Sequence, residues 1–225
     1  MTRAGVFCLE TGDWWGRLID HSSIEPFLQV LGQPGLLPVP SVYRTVMTQE
    51  EFERYIHEWR KPKNNGLPIL YLCFHGQTNG VDFEWTSRRV PEVNLRELAE
   101  IIGDKCQGRI IHLGTCQGMK DQAEVARFLK KTRALGFSGY VGTVGWMKSA
   151  ALDLLYFYAL GENGVTAQGL EATRTSLEKD MGGMVKRFGF QIHIAPPGSI
   201  GRRRPVKPKP KKPRKKIRNT KTQRN

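Results

Sequence analysis

Two apolar runs constrain the fold most strongly: residues 67–76 (LPILYLCFHG) and residues 109–118 (RIIHLGTCQG). Each run is long enough for a buried strand and contains a reactive side chain beside glycine, His75 in the first and Cys116 in the second. In an open parallel sheet, ligand-binding and catalytic sites lie just outside the carboxyl ends of the strands. Two such ends would bring His75 next to Cys116. A cysteine needs a neighbouring base or cation to become a useful thiolate nucleophile.

The rest of the chain alternates between apolar strands and amphipathic helices. Further strands are predicted at residues 5–10, 42–46, 139–144 and 188–194, and helices at residues 27–31, 148–160 and 166–180. Thr48, Asn94 and Asp121 are capping residues that open three more helices. The Asn79-Gly80 turn predicts a small hairpin arm at residues 81–85. This alternation predicts an α/β fold, with a mostly parallel six-stranded sheet and helices on both faces.

The basic residues are concentrated at the carboxyl-terminal end of the chain, whose formal net charge is +14. Residues 202–225 hold 13 of the 35 Lys and Arg residues and no Asp or Glu, which leaves 22 basic and 21 acidic residues, a net charge of +1, in residues 1–201. We therefore expect an α/β domain at residues 1–197 and a disordered basic tail rich in Lys, Arg and Pro at residues 198–225.

The composition of the tail favours contact with a nucleic acid or another polyanion. Lys and Arg release counterions from phosphates, and residues 202–225 contain no aromatic side chain to stack on bases, so such binding would be non-specific. A solvated tail for solubility or localisation is the alternative interpretation.

The cysteines and the amino terminus indicate a cytoplasmic protein. Cys8, Cys73, Cys106 and Cys116 lie in or beside apolar runs, as reduced thiols of an intracellular domain do. Residues 1–6 lack the apolar stretch of a signal peptide, and no apolar run approaches the ~20 residues of a membrane span.

The surroundings of Cys116 and His75 favour a catalytic role over a packing role. A lone cysteine at a strand end is ordinarily a small buried hydrophobe, and a lone histidine there is ordinarily a core residue bonded to a carbonyl. Gly114 and Gly118 flank Cys116 and leave backbone amides free to stabilise an oxyanion. His75 precedes Gly76 at the mouth of an apolar strand, which is the position of a general base.

These motifs resemble the caspase-like cysteine peptidases, in particular their CHAT-type branch. The resemblance rests on an apolar strand ending in His75-Gly76, a second strand ending in Cys116, the glycine-rich stretch 139–146 and the helix at 150–160. It covers residues 68–160. It departs from caspases at residues 114–118 (GTCQG), which stand in place of the caspase pentapeptide.

The resemblance implies a caspase-like three-layer sandwich with strands in the order 2-1-3-4-5-6 and the sixth antiparallel. It also implies a cysteine endopeptidase, in which His75 is the base, Cys116 the nucleophile, and the amides of Gly76 and Cys116 the oxyanion hole. The substrate would be a protein or peptide, and the reaction would need no cofactor. The resemblance also suggests a role in bacterial stress or defence signalling. The alternative is a catalytically silent domain that recruits a protein or nucleic acid partner through its cleft or basic tail.

Three other residues are candidates for contact with substrate. Asp82 and Glu84 follow the histidine and would line a pocket for a basic side chain, unless they form a solvated hairpin face. Trp146 would wall the pocket or pack beneath it. A metal site is not expected, because none of the cysteine pairs has the short spacing of zinc ligands.

Overall fold

The computed structural model describes residues 4–12, 14, 22–33, 39–83 and 93–196. Glu84 and the predicted tail at residues 198–225 lie outside these residues.

The described chain contains nine strands in two sheets. In chain order they are β1 (Val6–Thr11), β2 (Ser41–Val46), β3 (Ile69–Cys73), β4 (His75–Gln77), β5 (Gly80–Asp82), β6 (Val93–Asn94), β7 (Ile110–Leu113), β8 (Gly136–Tyr140) and β9 (Phe190–Ile194). The large sheet has the order β2-β1-β3-β7-β8-β9, and β4, β5 and β6 form a small sheet beside it.

The topology of the large sheet confirms the predicted order. Its first five strands are parallel, and β9 runs antiparallel to β8. Numbered along the chain, its six strands lie in the order 2-1-3-4-5-6. A hairpin is present at the predicted turn, since β4 pairs with β5 in antiparallel register, but its second strand spans Gly80–Asp82, and residues 84–85 of the predicted arm lie outside the described residues.

Six α-helices lie in the described residues. They are α1 (Glu25–Leu31), α2 (Gln49–Trp59), α3 (Leu95–Ile102), α4 (Gln122–Thr132), α5 (Trp146–Asn163) and α6 (Ala167–Phe188). The predicted caps are confirmed: the side chains of Thr48, Asn94 and Asp121 accept hydrogen bonds from backbone N–H groups in the first turns of α2, α3 and α4. Each cap satisfies an N–H group that has no partner within its own helix.

Alternating side chains of the buried strands enter two separate apolar clusters. Leu70 and Leu72 of β3 pack in a cluster with apolar residues of α2, α3 and α4. Ile69 and Tyr71 pack in a second cluster with apolar residues of α1, α5 and α6. Because successive side chains of a strand point to opposite faces, helices cover both faces of the sheet, as predicted.

Several predicted boundaries were wrong. The strands were expected to run as far as His75 and Cys116, but β3 ends at Cys73 and β7 ends at Leu113. A strand was expected at residues 139–144, but β8 spans Gly136–Tyr140. The chain has left the sheet by Gly142, whose carbonyl accepts a hydrogen bond from the N–H of Gln117 in the turn that follows β7. Helix α6 continues to Phe188, past a single non-helical residue at Met181.

Candidate active site

The turn that follows β7 presents the thiol of Cys116. The backbone N–H of Gly114 still bonds to the carbonyl of Leu72, after which the chain leaves the sheet and Gln117 adopts a left-handed conformation with φ 53°. Cys116 is half-buried. Its Sγ accepts a hydrogen bond from the N–H of Val144 and donates one to the carbonyl of the same residue, each at 3.4 Å.

The small sheet positions His75, which begins β4 directly after the carboxyl end of β3. The half-buried imidazole lies edge-on to Trp14, with ring centroids 5.0 Å apart. The next residue, Gly76, packs against the backbone of Cys116 so closely that a Cβ there would overlap its N and O atoms. Only glycine permits this approach, which holds the histidine strand against the cysteine turn.

One cleft of about 340 Å³ brings together most of the predicted site residues. His75, Gly76, Cys116 and Trp146 all line it. Both described hydrogen bonds of the Cys116 Sγ join it to the backbone of Val144. The cleft is therefore lined by both a half-buried thiol and an imidazole, and the Val144 backbone orients the thiol.

The structure does not bring Asp82 into this cleft. Its carboxylate is buried and accepts a hydrogen bond of 2.7 Å from the side chain of Gln77. Asp82 is thus neither the pocket residue nor the solvated hairpin residue that the sequence suggested, and Glu84 is outside the described residues.

Burial separates Cys116 from the other three cysteines, which are all buried. Desolvation raises the pKa of the Cys8 thiol, raises that of Cys73 well above its usual range, and raises that of Cys106 to about 12. A thiol with a raised pKa remains protonated near neutral pH and is a poor nucleophile. Cys116 is the cysteine that combines access to solvent with a place in the cleft.

Sequence reasoning missed Glu10, which anchors one wall of the cleft. Its buried carboxylate accepts hydrogen bonds from Trp14 Nε1 at 2.8 Å, the N–H of Ile24 at 2.9 Å, Ser23 Oγ at 2.8 Å and Tyr43 Oη at 2.7 Å. Burial raises the pKa of this carboxyl, while the four hydrogen bonds oppose that shift. The only signal in the sequence was a glutamate at the end of an otherwise apolar strand.

A second buried network, centred on Asp153, was also missed. Its carboxylate accepts hydrogen bonds from Tyr71 Oη at 2.7 Å and Tyr140 Oη at 2.5 Å, and lies 2.8 Å from His112 Nε2. The other ring nitrogen of His112 lies 2.9 Å from Ser138 Oγ. This network joins β3, β7 and β8 to α5, the helix that begins at Trp146 beside the cleft. An aspartate within the apolar helix at 150–160 was the available signal.

The described residues contain neither a candidate metal site nor a helix that could span a membrane. They contain no group of three or more His, Cys, Asp or Glu side chains arranged to hold a metal ion. None of the six described α-helices combines the length and apolar character needed to cross a membrane.

Comparison with known proteins identifies a family but no activity. The sequence model of a family of unknown function, DUF6642, matches residues 3–193, so the chain belongs to that family. None of the curated proteins matches the chain.

Proposed function

We propose that this member of the DUF6642 family is a cytoplasmic cysteine endopeptidase with a caspase-like three-layer sandwich, in which Cys116 is the nucleophile and His75 the base. One observation carries the proposal: the ends of two neighbouring parallel strands lead into one cleft that contains His75 and the only half-exposed thiol among the four cysteines. Chemistry at the carboxyl ends of parallel strands is the rule for open α/β sheets.

The proposed reaction is acyl transfer to sulfur followed by hydrolysis. Cys116 transfers its proton to His75, and the thiolate attacks the carbonyl carbon of the peptide bond. When the C–N bond breaks, His75 returns the proton to the leaving amine. Water then attacks the thioester, which releases the carboxylic acid and regenerates the thiol. This sequence requires no cofactor.

The backbone of Gly76 and Cys116 supports an oxyanion hole between them. Among the described residues, no backbone carbonyl accepts a hydrogen bond from the N–H of Cys116. The Gly76 backbone lies directly against that amide. In the proposed mechanism both N–H groups donate to the developing oxyanion, in a site where such donors are already oriented.

The hydrogen bonds between Cys116 and Val144 favour a second candidate, a silent caspase-like domain that binds a partner through this cleft. In a dyad already prepared for reaction, the thiol would lie within hydrogen-bond reach of the base. The described hydrogen bonds of this thiol go to the backbone of Val144. We rank this candidate second because catalytic contacts in unliganded enzymes are often long and tighten only when substrate binds.

A peptide-library screen with the wild-type protein and Cys116→Ala tests the proposal. We expect cleavage by the wild type and none by the folded Cys116→Ala variant. Cys73→Ala is the matched control: it should retain appreciable activity and lose about 1 kcal/mol of stability, because Cys73 is a buried packing residue. Equal activity in Cys116→Ala and the wild type would refute the nucleophile assignment. Binding without cleavage by the wild type would favour the second candidate.

A further inference from the structure

Three aromatic side chains pack against one another beside the proposed dyad. The ring of Trp14 lies 5.0 Å from that of His75 and 6.4 Å from that of Trp146, and Trp146 lies 5.9 Å from Phe27, all edge-to-face. Trp14 and Trp146 both line the cleft that contains Cys116. We call Trp14, Phe27 and Trp146 the aromatic wall.

Hydrogen bonds and packing fix the aromatic wall in place. Trp14 donates from Nε1 to the buried carboxylate of Glu10. Trp146 is the first residue of α5 and follows Val144, the residue that also holds the Cys116 thiol. A binding surface that is ordered before its ligand arrives avoids the entropy cost of ordering it on binding.

The floor of the cleft is apolar, and the rest of its lining includes the uncharged polar side chains of Gln117, Thr143 and Ser149. Ile24, Tyr71, Cys73 and Ala150 line the floor and belong to the apolar cluster beneath. The cleft residues that the structure describes include no Asp, Glu, Lys or Arg. The sequence had suggested acidic residues that select a basic side chain, but the described Asp82 is buried and is not among the residues that line this cleft.

The cost of desolvation determines what this surface can accept. A charged side chain that entered the cleft would lose its hydration without gaining an ion pair from the described lining. A cation over a tryptophan ring recovers only part of that loss. A large apolar or aromatic side chain has no charge whose hydration would be lost. It gains contact area and edge-to-face packing against the two indoles.

We infer that the cleft beside Cys116 binds a large uncharged side chain, aromatic or branched apolar, of a peptide substrate. This inference rests on the proposed function for its catalytic part, since the peptide is the one whose bond Cys116 attacks. The recognition part does not depend on the chemistry, because the aromatic wall and the apolar floor are present whether or not the thiol reacts.

The first experiment measures recognition alone, in the Cys116→Ala variant, which cannot turn over. The probes are blocked pentapeptides acetyl-Ala-Ala-Xaa-Ala-Ala-amide with Phe, Leu, Lys, Asp or Ala at Xaa, and the readout is Kd by calorimetry. We expect the Phe and Leu peptides to bind at least tenfold more tightly than the Lys, Asp and Ala peptides. Equal affinities, including no detectable binding of any peptide, or a preference for Lys or Asp, would overturn the inference.

Matched variants test whether the aromatic wall produces the preference for the Phe peptide over the Ala peptide. Trp146→Ala, made in the Cys116→Ala background, should reduce the ratio of Phe to Ala affinity several-fold, and Trp146→Phe should restore most of it. Met147→Ala is the control, because Met147 is 61% exposed and does not line the cleft. An unchanged ratio in folded Trp146→Ala, or an equal loss in Met147→Ala, would show that the aromatic wall is not the recognition surface.

A second experiment separates this inference from the proposed function. The wild-type protein is treated with acyloxymethyl ketones bearing Phe, Lys or Asp beside the reactive group, and labelling of Cys116 is followed by mass spectrometry. Faster labelling by the Phe reagent supports both claims. Tight binding of the Phe pentapeptide without labelling refutes the peptidase and leaves recognition intact. Labelling at equal rates by all three reagents refutes the substrate preference and leaves the nucleophile intact.

Discussion

The thiol of Cys116 is held by the backbone of Val144, which lies 28 residues further along the chain and contacts Sγ through both its N–H and its carbonyl group. The turn after β7 and the segment before α5 are therefore joined at the sulfur itself. Since α5 begins at Trp146, the same segment positions both the thiol and one side of the aromatic wall.

We predict that iodoacetamide alkylates Cys116 before the other three cysteines in the native protein. Cys8, Cys73 and Cys106 are buried and their thiol pKa values are raised, so few thiolates are present and reagent cannot reach them. A short pulse followed by peptide mass spectrometry measures the order. In guanidinium chloride all four should react at similar rates. Native labelling of Cys73 ahead of Cys116 would contradict the assignment.

Removal of His75 should change the pH dependence of the rate at which Cys116 is alkylated. If the imidazole supports the thiolate, His75→Ala will lose alkylation rate near neutral pH, and the acidic limb of the profile will shift, since that limb reports the His–Cys pair as a unit. In peptide hydrolysis, His75→Ala and His75→Ala/Cys116→Ala should have similar residual rates, because coupled catalytic residues are non-additive.

His112→Ala is the comparison for His75→Ala. His112 is fully buried and bonded within the Asp153 network, so we expect a stability defect but an unchanged profile for Cys116 in whatever fraction folds. Suppression of alkylation by His112→Ala in correctly folded protein, with none by His75→Ala, would mean that the wrong histidine was assigned.

The Asp153 network should contribute strongly to stability. Asp153→Ala would leave the hydroxyls of Tyr71 and Tyr140 and a ring nitrogen of His112 buried without their acceptor, at a cost of about 3–5 kcal/mol in the free energy of unfolding. Asp153→Asn should cost less, because the amide retains one acceptor oxygen. Urea unfolding measures both. Exposed Asp104→Ala is the control and should change stability by about 0.5 kcal/mol or less.

Glu10 should make the protein less stable as pH rises. Burial raises its folded-state pKa above the ordinary value of 4.5, so the folded protein retains this proton to a higher pH than the unfolded chain does. The stability linked to this proton is complete below the unfolded pKa and is lost as pH rises through the folded pKa.

Glu10→Gln removes this titration and keeps an acceptor for Trp14 and Ile24, while the hydroxyls of Ser23 and Tyr43 can rotate to accept from the new amide. Urea unfolding at pH 4.5 and pH 7 should therefore show a smaller decrease in stability for Glu10→Gln than for the wild type. Parallel decreases in the two proteins would show that Glu10 does not titrate in this range. Glu10→Ala should be destabilised at both pH values, because it also loses the acceptor.

The basic tail should be separable from the domain. A chain that ends at Gly201 is close to neutral by sequence, so it should fold and elute earlier from heparin than the full chain. Its affinity for a nucleic acid should also fall, with a shallower dependence on salt. The same affinity and the same salt slope in the two chains would place the basic surface within residues 1–201.

The alternation of apolar runs and capping residues was sufficient to predict the α/β class and the three capped helices. Hydrophobic periodicity and capping are local properties, and they act over a few residues whatever the rest of the chain does. The order of the large sheet, inferred through the caspase-like resemblance, is also present in the structure. His75 and Cys116 could be proposed as neighbours because the ends of parallel strands meet at one edge.

Only the tertiary structure decided which groups surround these two residues. Glu10 bonds to Trp14 four residues further along the chain, but it also bonds to Tyr43 of a different strand, and Asp153 contacts His112 across a gap of 41 residues. Sequence periodicity contains no information about such pairings, because they depend on how helices dock on a twisted sheet. For the same reason Asp82, which follows the histidine closely in sequence, is buried against Gln77 instead of lining the cleft, while Val144 reaches the thiol of Cys116. The sequence alone predicted the approximate strands and the two candidate residues, His75 and Cys116; the docking of α5 and the small sheet determined which groups surround them.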